Sequence, residues 1–559
     1  MGKEIYAIGI DFGTESGRSV LVNIADGSEA ATSVYEYPHG VMDQELPDGT
    51  LLEPDWALQH PEDYLGVIEN TIPEILSKAG VTADQVVGIG IDFTACTMLP
   101  MKKDGTPLCF IDEYRCNPHA WVKLWKHHAA QPEADQVNET ARNRDESWLE
   151  YYGSKISSEW FIPKALQILN EAPEIYKEAD SFIEAADWVI LQLTGEEKRN
   201  SCTAGYKAIW DPDSGYPSSD YFRELHPDFE NIVNEKLTED IYPIGAKAGG
   251  LTGEMAEKTG LVKGTPVAVA NVDAHVSVPA ATIISPGKML MIMGTSICHM
   301  VLGEEKRPVE GQCGVVRDGI IPGYYGYEAG QSGGGDILAW FVNNCVPETY
   351  EAQAKDKGTD IHALLEKKAS RLLPGESGLL ALDWLNGNRS VLVDMNLTGM
   401  IVGLTISTTP EEIYRALIES LAFGTLTIIS NFEEQGIEIN ELYAAGGLPE
   451  KNNLLMQIFS DVTGRTIYAA RSGQAGAVGS AMFGACAAGK DGRGYSSIEE
   501  AAQYMAGLKD KHWSPNESNT AVYAELFKEY KTLHDYFGRG TNDVMKRLKK
   551  LTVQQKKAK

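Results

Sequence analysis

Two segments of the chain carry the residue types best suited to handling a phosphate. The first, GIDFGTESGRS (Gly9–Ser19), sets Asp11 at the end of an apolar run and follows it with Gly13, Thr14 and Ser16. Glycine lets a backbone come close to phosphate oxygens, and hydroxyls add donors. A carboxylate beside such a loop would face the metal that travels with a nucleoside triphosphate. The second segment, KMLMIMGTSICHMVLG (Lys288–Gly303), repeats the pattern with Gly294 and Thr295 about 280 residues later. Other apolar runs end in the same manner: Val86–Ile91 before Asp92, Pro266–Val272 before Asp273, and Leu442–Ala445 before Gly446-Gly447. In open α/β sheets ligands collect beyond the carboxyl ends of strands, so these positions outline a candidate site.

Strands and helices must hold those residues. Short apolar runs alternating with helix-length amphipathic segments predict an α/β fold with buried strands. Both Gly-Thr segments read as β-hairpins. Their repetition at half the chain predicts two related lobes, residues 1–264 and 265–559, divided near the glycine-rich stretch Gly245–Gly264. Thr409-Pro410-Glu411-Glu412 offers an N-cap, a proline at the first helical position and a glutamate at the third, opening a helix through Phe423. Tyr523, Leu526, Phe527, Tyr530, Leu533 and Phe537 recur at helical spacing and read as core packing. The small-residue run Gly473–Gly489 reads as a closely packed helix. The basic end KRLKKLTVQQKKAK reads as a solvated, fraying helix end. His127 and His128 read as solvated surface residues.

Composition excludes several classes. The 559 residues carry 79 Asp+Glu against 49 Lys+Arg, a net charge of −30. A surface this acidic repels phosphate backbones and anionic lipids, so neither nucleic acid nor a membrane is expected as a partner. No uninterrupted apolar run reaches ~18 residues, and the N-terminus runs straight into a strand pattern without a signal peptide's apolar core. The 8 cysteines are scattered with no C-x-x-C pair, which points to a reducing cytoplasm. No P-loop, Rossmann fingerprint or H-E-x-x-H occurs. Gly330-Gln331-Ser332-Gly333-Gly334 matches the G-x-S-x-G of a serine hydrolase, with His362, His512 and His534 as the downstream histidines. Its alternative is a glycine turn that holds an anion at a helix start.

Taken together, the two hairpins, Asp273 and the Gly446-Gly447 turn resemble the phosphate and adenosine motifs of the sugar kinase, Hsp70 and actin superfamily. Within it the chain resembles the FGGY carbohydrate kinases over nearly its whole length, through GIDFGT, EAGQSGGGDILAWF (Glu328–Phe341), GLTISTTPEEIYRALIESLAFG (Gly403–Gly424) and AAGGLPEKNNLLMQIFSDVTG (Ala444–Gly464). DFTACT (Asp92–Thr97), SSEWFIPK (Ser157–Lys164), CTAGYKAIW (Cys202–Trp210) and VDAH (Val272–His275) resemble the family's ribulokinase branch, in which DFTACT commonly reads with serine and glycine.

The resemblance implies two ribonuclease-H-like domains with the site in the cleft between them. It implies ATP and Mg²⁺ as cofactors, and transfer of phosphate to the 5-hydroxyl of L-ribulose in arabinose breakdown. Asp273 matches the general base, Asp11 the carboxylate near Mg²⁺, and Gly13 and Thr14 the first phosphate loop. Gly294 and Thr295 match the second loop, and Gly447 and Asn452 the adenosine side. Ala95, Lys207, Asp273 and Glu328 stand where the branch contacts its sugar. Asp92 either fixes its loop or touches ligand, and His275 is open in the same sense. Xylulose or ribitol is the nearest alternative substrate, and a catalytically silent sugar-binding protein the nearest non-enzyme. A homodimer is implied.

Overall fold

In the strand Tyr6–Phe12 the side chains alternate between two environments, as the period of a strand requires. Tyr6, Ile8, Ile10 and Phe12 join one apolar core, whereas Ala7 joins another on the opposite face, the face shared by Gly9 and Asp11. The computed structural model describes residues 3–557, so Ala558 and Lys559 of the basic end lie outside the described residues.

Two mixed sheets repeat one topology. The first runs Lys247–Gly250, Pro266–Ala268, Val86–Phe93, Tyr6–Phe12, Ser16–Asn23, Glu29–Glu36, with Asn271–Val272 also paired to Val86–Phe93. The second runs Gly314–Arg317, Tyr325–Gln331, Ile297–Gly303, Gly287–Met293, Ile439–Ala445, Ile467–Ala470, Leu508–Trp513. From Glu29–Glu36 and from Tyr325–Gln331 inward, the pairings are in both cases antiparallel, antiparallel, parallel, parallel, antiparallel.

The sheets do not divide at residue 264. Pro266–Ala268 and Asn271–Val272 pair with Val86–Phe93, so the first sheet is complete only at Val272. The Gly245–Gly264 stretch lies within that lobe, as an edge strand and the helix Gly253–Thr259. Its glycines terminate elements instead of linking lobes: Gly260 ends the helix in the left-handed conformation.

One outer layer of helices covers each sheet. Pro61–Ala79, Ala185–Thr194 and Gly253–Thr259 enclose a core on the first, and Pro410–Glu434, Asn453–Thr463 and Glu517–Gly538 one on the second. Thr409 and Glu412 form the anticipated capping box, and the helix runs past Phe423 to Glu434. That helix is apolar and long enough to cross a membrane, yet 83% of its most apolar window is buried in the protein core. Tyr523 and Tyr530 are buried, with Leu526, Phe527, Leu533 and Phe537 packed against the same core.

Between the sheets lie Asp273–Ala280, Ala475–Ala488 and Ile498–Met505. Ala475–Ala488, from the second half of the chain, packs on Tyr6–Phe12 and Val86–Phe93 of the first sheet. Glycines permit the approach: a Cβ on Gly9 would stand 1.7 Å from the Ala477 carbonyl oxygen, and one on Gly90 1.8 Å from that of Ser480. Asp273–Ala280 fits between this helix and the Ile297–Gly303 strand, with Gly479 against the Val276 carbonyl.

Candidate active site

Strand register brings the carboxylates together. Asp11 stands opposite Asp92 on the neighbouring parallel strand, and Asn271 opposite Asp92 on the other side, two residues before Asp273 opens its helix. Asp92 is wholly buried; its Oδ2 accepts the Ser480 hydroxyl at 2.6 Å, and its Oδ1 has no partner. Asp11 Oδ2 lies 3.4 Å from the Nε of Arg18, its cross-strand neighbour. Asp273 Oδ1 accepts the Ala274 N–H at 2.6 Å.

Burial dominates their ionisation. It pushes Asp273 up to about 7, helped by the charge of Asp11 and opposed by the Ala274 N–H. Burial also raises Asp11, against the pull of Arg18, and lifts Asp92 well above the usual carboxylate range with help from Asp11. A carboxylate poised near neutral pH suits a general base. Crowded carboxylates with an unpartnered buried oxygen also fit a hard divalent cation, which takes oxygen ligands. Through the Ser480 hydroxyl, Asp92 also ties its strand to the helix Ala475–Ala488.

Each glycine loop is braced by its own backbone. The Gly13 N–H donates to Ser16 O at 2.9 Å, and the Gly294 N–H to Ser296 O at 3.0 Å. The Gly333–Gly335 turn packs under the second loop, with the Gly335 N–H on Gly294 O at 2.8 Å. Gly294 and Gly447 face open space, where an added Cβ would meet nothing within 4 Å. Gly446, at φ 96°, must be glycine because a Cβ would stand 2.6 Å from Met293 O. The backbone of Thr295 also belongs to this brace, as its carbonyl accepts the Asp336 N–H at 3.4 Å.

Two expected ligand residues also bond to protein, Thr14 keeping its own O–H free to donate. The Thr14 hydroxyl accepts the Trp125 indole N–H at 3.1 Å, and its carbonyl accepts Gln59 Nε2 at 2.7 Å. Asn452 is buried; its Oδ1 caps the helix Asn453–Thr463 through the Leu455 N–H at 2.9 Å, and its Nδ2 donates to the Tyr414 hydroxyl at 3.2 Å. Its carboxamide is thus a helix cap here and not a free group facing the cleft.

Lys207 and Glu328, expected on the sugar side, form an ion cluster with Arg389. Lys207 Nζ lies 2.8 Å from Glu328 Oε2, with the side chains only 5% and 6% exposed. Arg389 Nη2 holds the other oxygen, Oε1, at 3.2 Å. Burial alone would raise Glu328, but Lys207 and Arg389 bring it down to about 2, so it is a permanent carboxylate. His275 Nε2 is 3.8 Å from Oε2; burial drives this histidine down to about 4, and its neutral ring packs on Tyr206 at 4.4 Å. Ala95 is half-buried between two cores and contributes shape. Lys164, buried in the SSEWFIPK helix, donates to the carbonyls of Cys96 at 2.6 Å and Leu124 at 2.7 Å, which pins the DFTACT loop.

Arg389, Ser480 and Lys164 were not among the anticipated site residues. Arg389 and Ser480 come from segments remote in sequence with no motif of their own; only the SSEWFIPK match pointed near Lys164. His127 departs from expectation as well: it is buried, with Nε2 3.0 Å from Gln167 Oε1 beside the buried Lys123, while His128 is exposed. All 8 cysteines are free. Among the described residues no histidine bonds Ser332, whose hydroxyl sits 3.9 Å from Met395 Sδ. His362 meets Tyr414, His534 meets Asp535 and His512 meets the Asp510 carbonyl, so the hydrolase constellation is not assembled.

Comparison with known proteins identifies the family. Residues 6–278 match the N-terminal domain, and 289–488 the C-terminal domain, of the FGGY family of carbohydrate kinases. The chain is 58% identical to a ribulokinase of Halalkalibacterium halodurans over 98% of its own length and 97% of that protein. It is 59% identical to a ribulokinase of Bacillus licheniformis, covering 96% and 97%. Among solved structures it resembles xylulose kinase from Rhodospirillum rubrum, with a TM-score of 0.77 at 21% identity over 95% and 98% of the two chains. On these grounds the chain belongs to the FGGY family of carbohydrate kinases.

Proposed function

We propose that this protein transfers the γ-phosphate of ATP to the 5-hydroxyl of L-ribulose, a step of L-arabinose breakdown. The observation that carries the chemistry is Asp273, a partly buried carboxylate at the start of the helix Asp273–Ala280, pushed up to about 7 by desolvation and by the charge of Asp11, with Glu328 and Lys207 also acting on it. Phosphoryl transfer needs little covalent help, so positioning and charge stabilisation dominate. Asp273 takes the proton of the attacking hydroxyl. Lys207 and Glu328 orient the sugar, and the backbone N–H groups around Gly13, Gly294 and Gly447 line the triphosphate. Asp11 would hold the Mg²⁺ that offsets the triphosphate charge, in a protein whose net charge is −30. The reading includes a homodimer in the cytoplasm, as the family resemblance implies.

L-Ribulose is supported by the ribulokinase relatives at 58–59% identity over nearly full length. Steady-state assays with ATP, Mg²⁺ and a panel of pentuloses and pentitols test it. L-Ribulose should give the highest kcat/KM, with sugar-dependent ADP release. A tenfold preference for xylulose or ribitol would reassign the substrate, and no ADP release with any sugar would make this a silent binding protein.

A further inference from the structure

The ion cluster has an order. Starting from the helix that carries Asp273, His275 Nε2 approaches Glu328 Oε2, the oxygen bonded to Lys207, while Arg389 takes the far oxygen, Oε1. Lys207 and Glu328 are almost completely enclosed and paired at 2.8 Å, each with capacity left for further hydrogen bonds. Arg389 is 32% exposed and is the cluster's accessible member. A guanidinium has five N–H donors in a rigid fork and no acceptor. One is placed on Glu328. Its loop is seated independently: Ser390 Oγ donates to Gly311 O at 2.7 Å and accepts the Gly330 N–H at 3.2 Å, so the arginine is delivered from a fixed backbone.

We propose that Arg389 is a specificity-determining residue that reads the end of the sugar remote from the hydroxyl being phosphorylated. The inference rests on the sugar-kinase reading above. With the reacting hydroxyl at Asp273 and the chain of the sugar lying along Glu328, the carbons that reach Arg389 are those of the ketol end. A ketone oxygen can only accept a hydrogen bond, and Arg389 can only donate. Glu328, held as a carboxylate, can only accept, so it serves a hydroxyl and not a ketone. The pair thus tells a ketose from the corresponding alditol: the ketose needs the arginine, whereas the alditol's extra hydroxyl can turn and donate to Glu328.

The test uses the full chain and its Arg389→Met and Arg389→Lys variants. L-Ribulose binding is followed by calorimetry without ATP, and kcat/KM is measured for L-ribulose and ribitol. Hydrogen bonds to charged groups set the scale. Arg389→Met should weaken L-ribulose binding about 50-fold and lower its kcat/KM similarly, cost ribitol no more than about 5-fold, and leave the KM for ATP within about 2-fold. Arg389→Lys keeps the charge beside Glu328 and should lose about 10-fold on L-ribulose; it decides the matter if the methionine variant does not fold. Unchanged L-ribulose binding in folded variants overturns the inference, as does an equal loss for ketose and alditol. A wild-type protein that binds no pentulose overturns the functional reading and the inference together, whereas failure of the variants alone leaves the kinase reading in place.

Discussion

The two hairpins are built alike and loaded differently. In the first sheet Asp11 pairs in register with Asp92; at the same level of the second, Ile292 pairs with Ala445. Each strand then turns through glycine and threonine into its antiparallel partner. One tier of side chains therefore separates a loop that gathers carboxylates, suited to a cation and to proton removal, from a loop that leaves only backbone N–H groups for an anion. The insertions differ to match. Between Phe93 and Pro266 the first lobe inserts the helices Phe161–Glu171 and Ser201–Ala208, which bear Lys164 and Lys207. Between Ala445 and Ile467 the second holds only Gly447–Lys451 and Asn453–Thr463. A shared scaffold is specialised at the strand ends and in the connections, while its pairing stays constant.

The comparison can be broken most severely in the glycines. Gly9→Ala places a Cβ against the Ala477 carbonyl, where backbone cannot yield, and should abolish soluble folded protein. Gly294→Ala meets open space and should leave the melting temperature within about 1 °C while raising the KM for ATP several-fold. Equal destabilisation of both variants in thermal melts would show that the two hairpins are not packed as described.

Next comes Asp273, the proposed base. Asp273→Asn should lower kcat about 1000-fold with sugar binding retained, the scale of a lost general base. Wild-type kcat/KM should fall as pH drops through about 7, where Asp273 takes up its proton. Stability moves the other way. A carboxyl raised from 3.8 to about 7 favours the folded state below pH 4, and that contribution is lost as pH rises through 7. Asp273→Asn should therefore melt several degrees above wild type at pH 8 and not at pH 4, measured without Mg²⁺. A variant equally stable at both would contradict the burial assigned to Asp273.

The smallest effects sharpen the tier itself. Asp11→Asn should cost about 100-fold in kcat/KM and raise the Mg²⁺ concentration needed for half-maximal rate. Ile292→Asp, which gives the second hairpin the carboxylate of the first, should raise the KM for ATP about tenfold by repulsion, with little change in the KM for sugar. If Ile292→Asp acted on the sugar instead, the division of labour between the hairpins would be wrong.

Local pattern made the hairpins, Asp11, Asp273 and the capped helix at Pro410 readable, because each is specified by neighbours within a few residues. Arg389 and Ser480 were unreadable for the converse reason: each acts on a residue dozens to hundreds of positions away, Glu328 and Asp92, and the small-residue run that holds Ser480 points to packing alone. Asn452 shows how one residue type serves two ends, since asparagine before an apolar helix is a cap wherever the amide meets free N–H groups. His127 looked solvated because the side chain that satisfies its buried ring, Gln167, lies 40 residues further along the chain. The boundary at 264 failed because glycine marks turns inside a lobe as readily as between lobes.

The helix Ala475–Ala488 has a consequence for how the protein is made. The strands of the first sheet are all synthesised by Val272, but the face formed by Gly9, Gly88 and Gly90 is covered only when Ala488 has left the ribosome. At ~5–20 residues per second, the roughly 200 intervening residues take on the order of 10–40 s. Through that interval the nascent N-terminal half carries a bare glycine-lined face with no helix of its own to close it. The first half of the gene alone does not encode a self-sufficient folding unit, and a chaperone would meet the nascent chain first at this face.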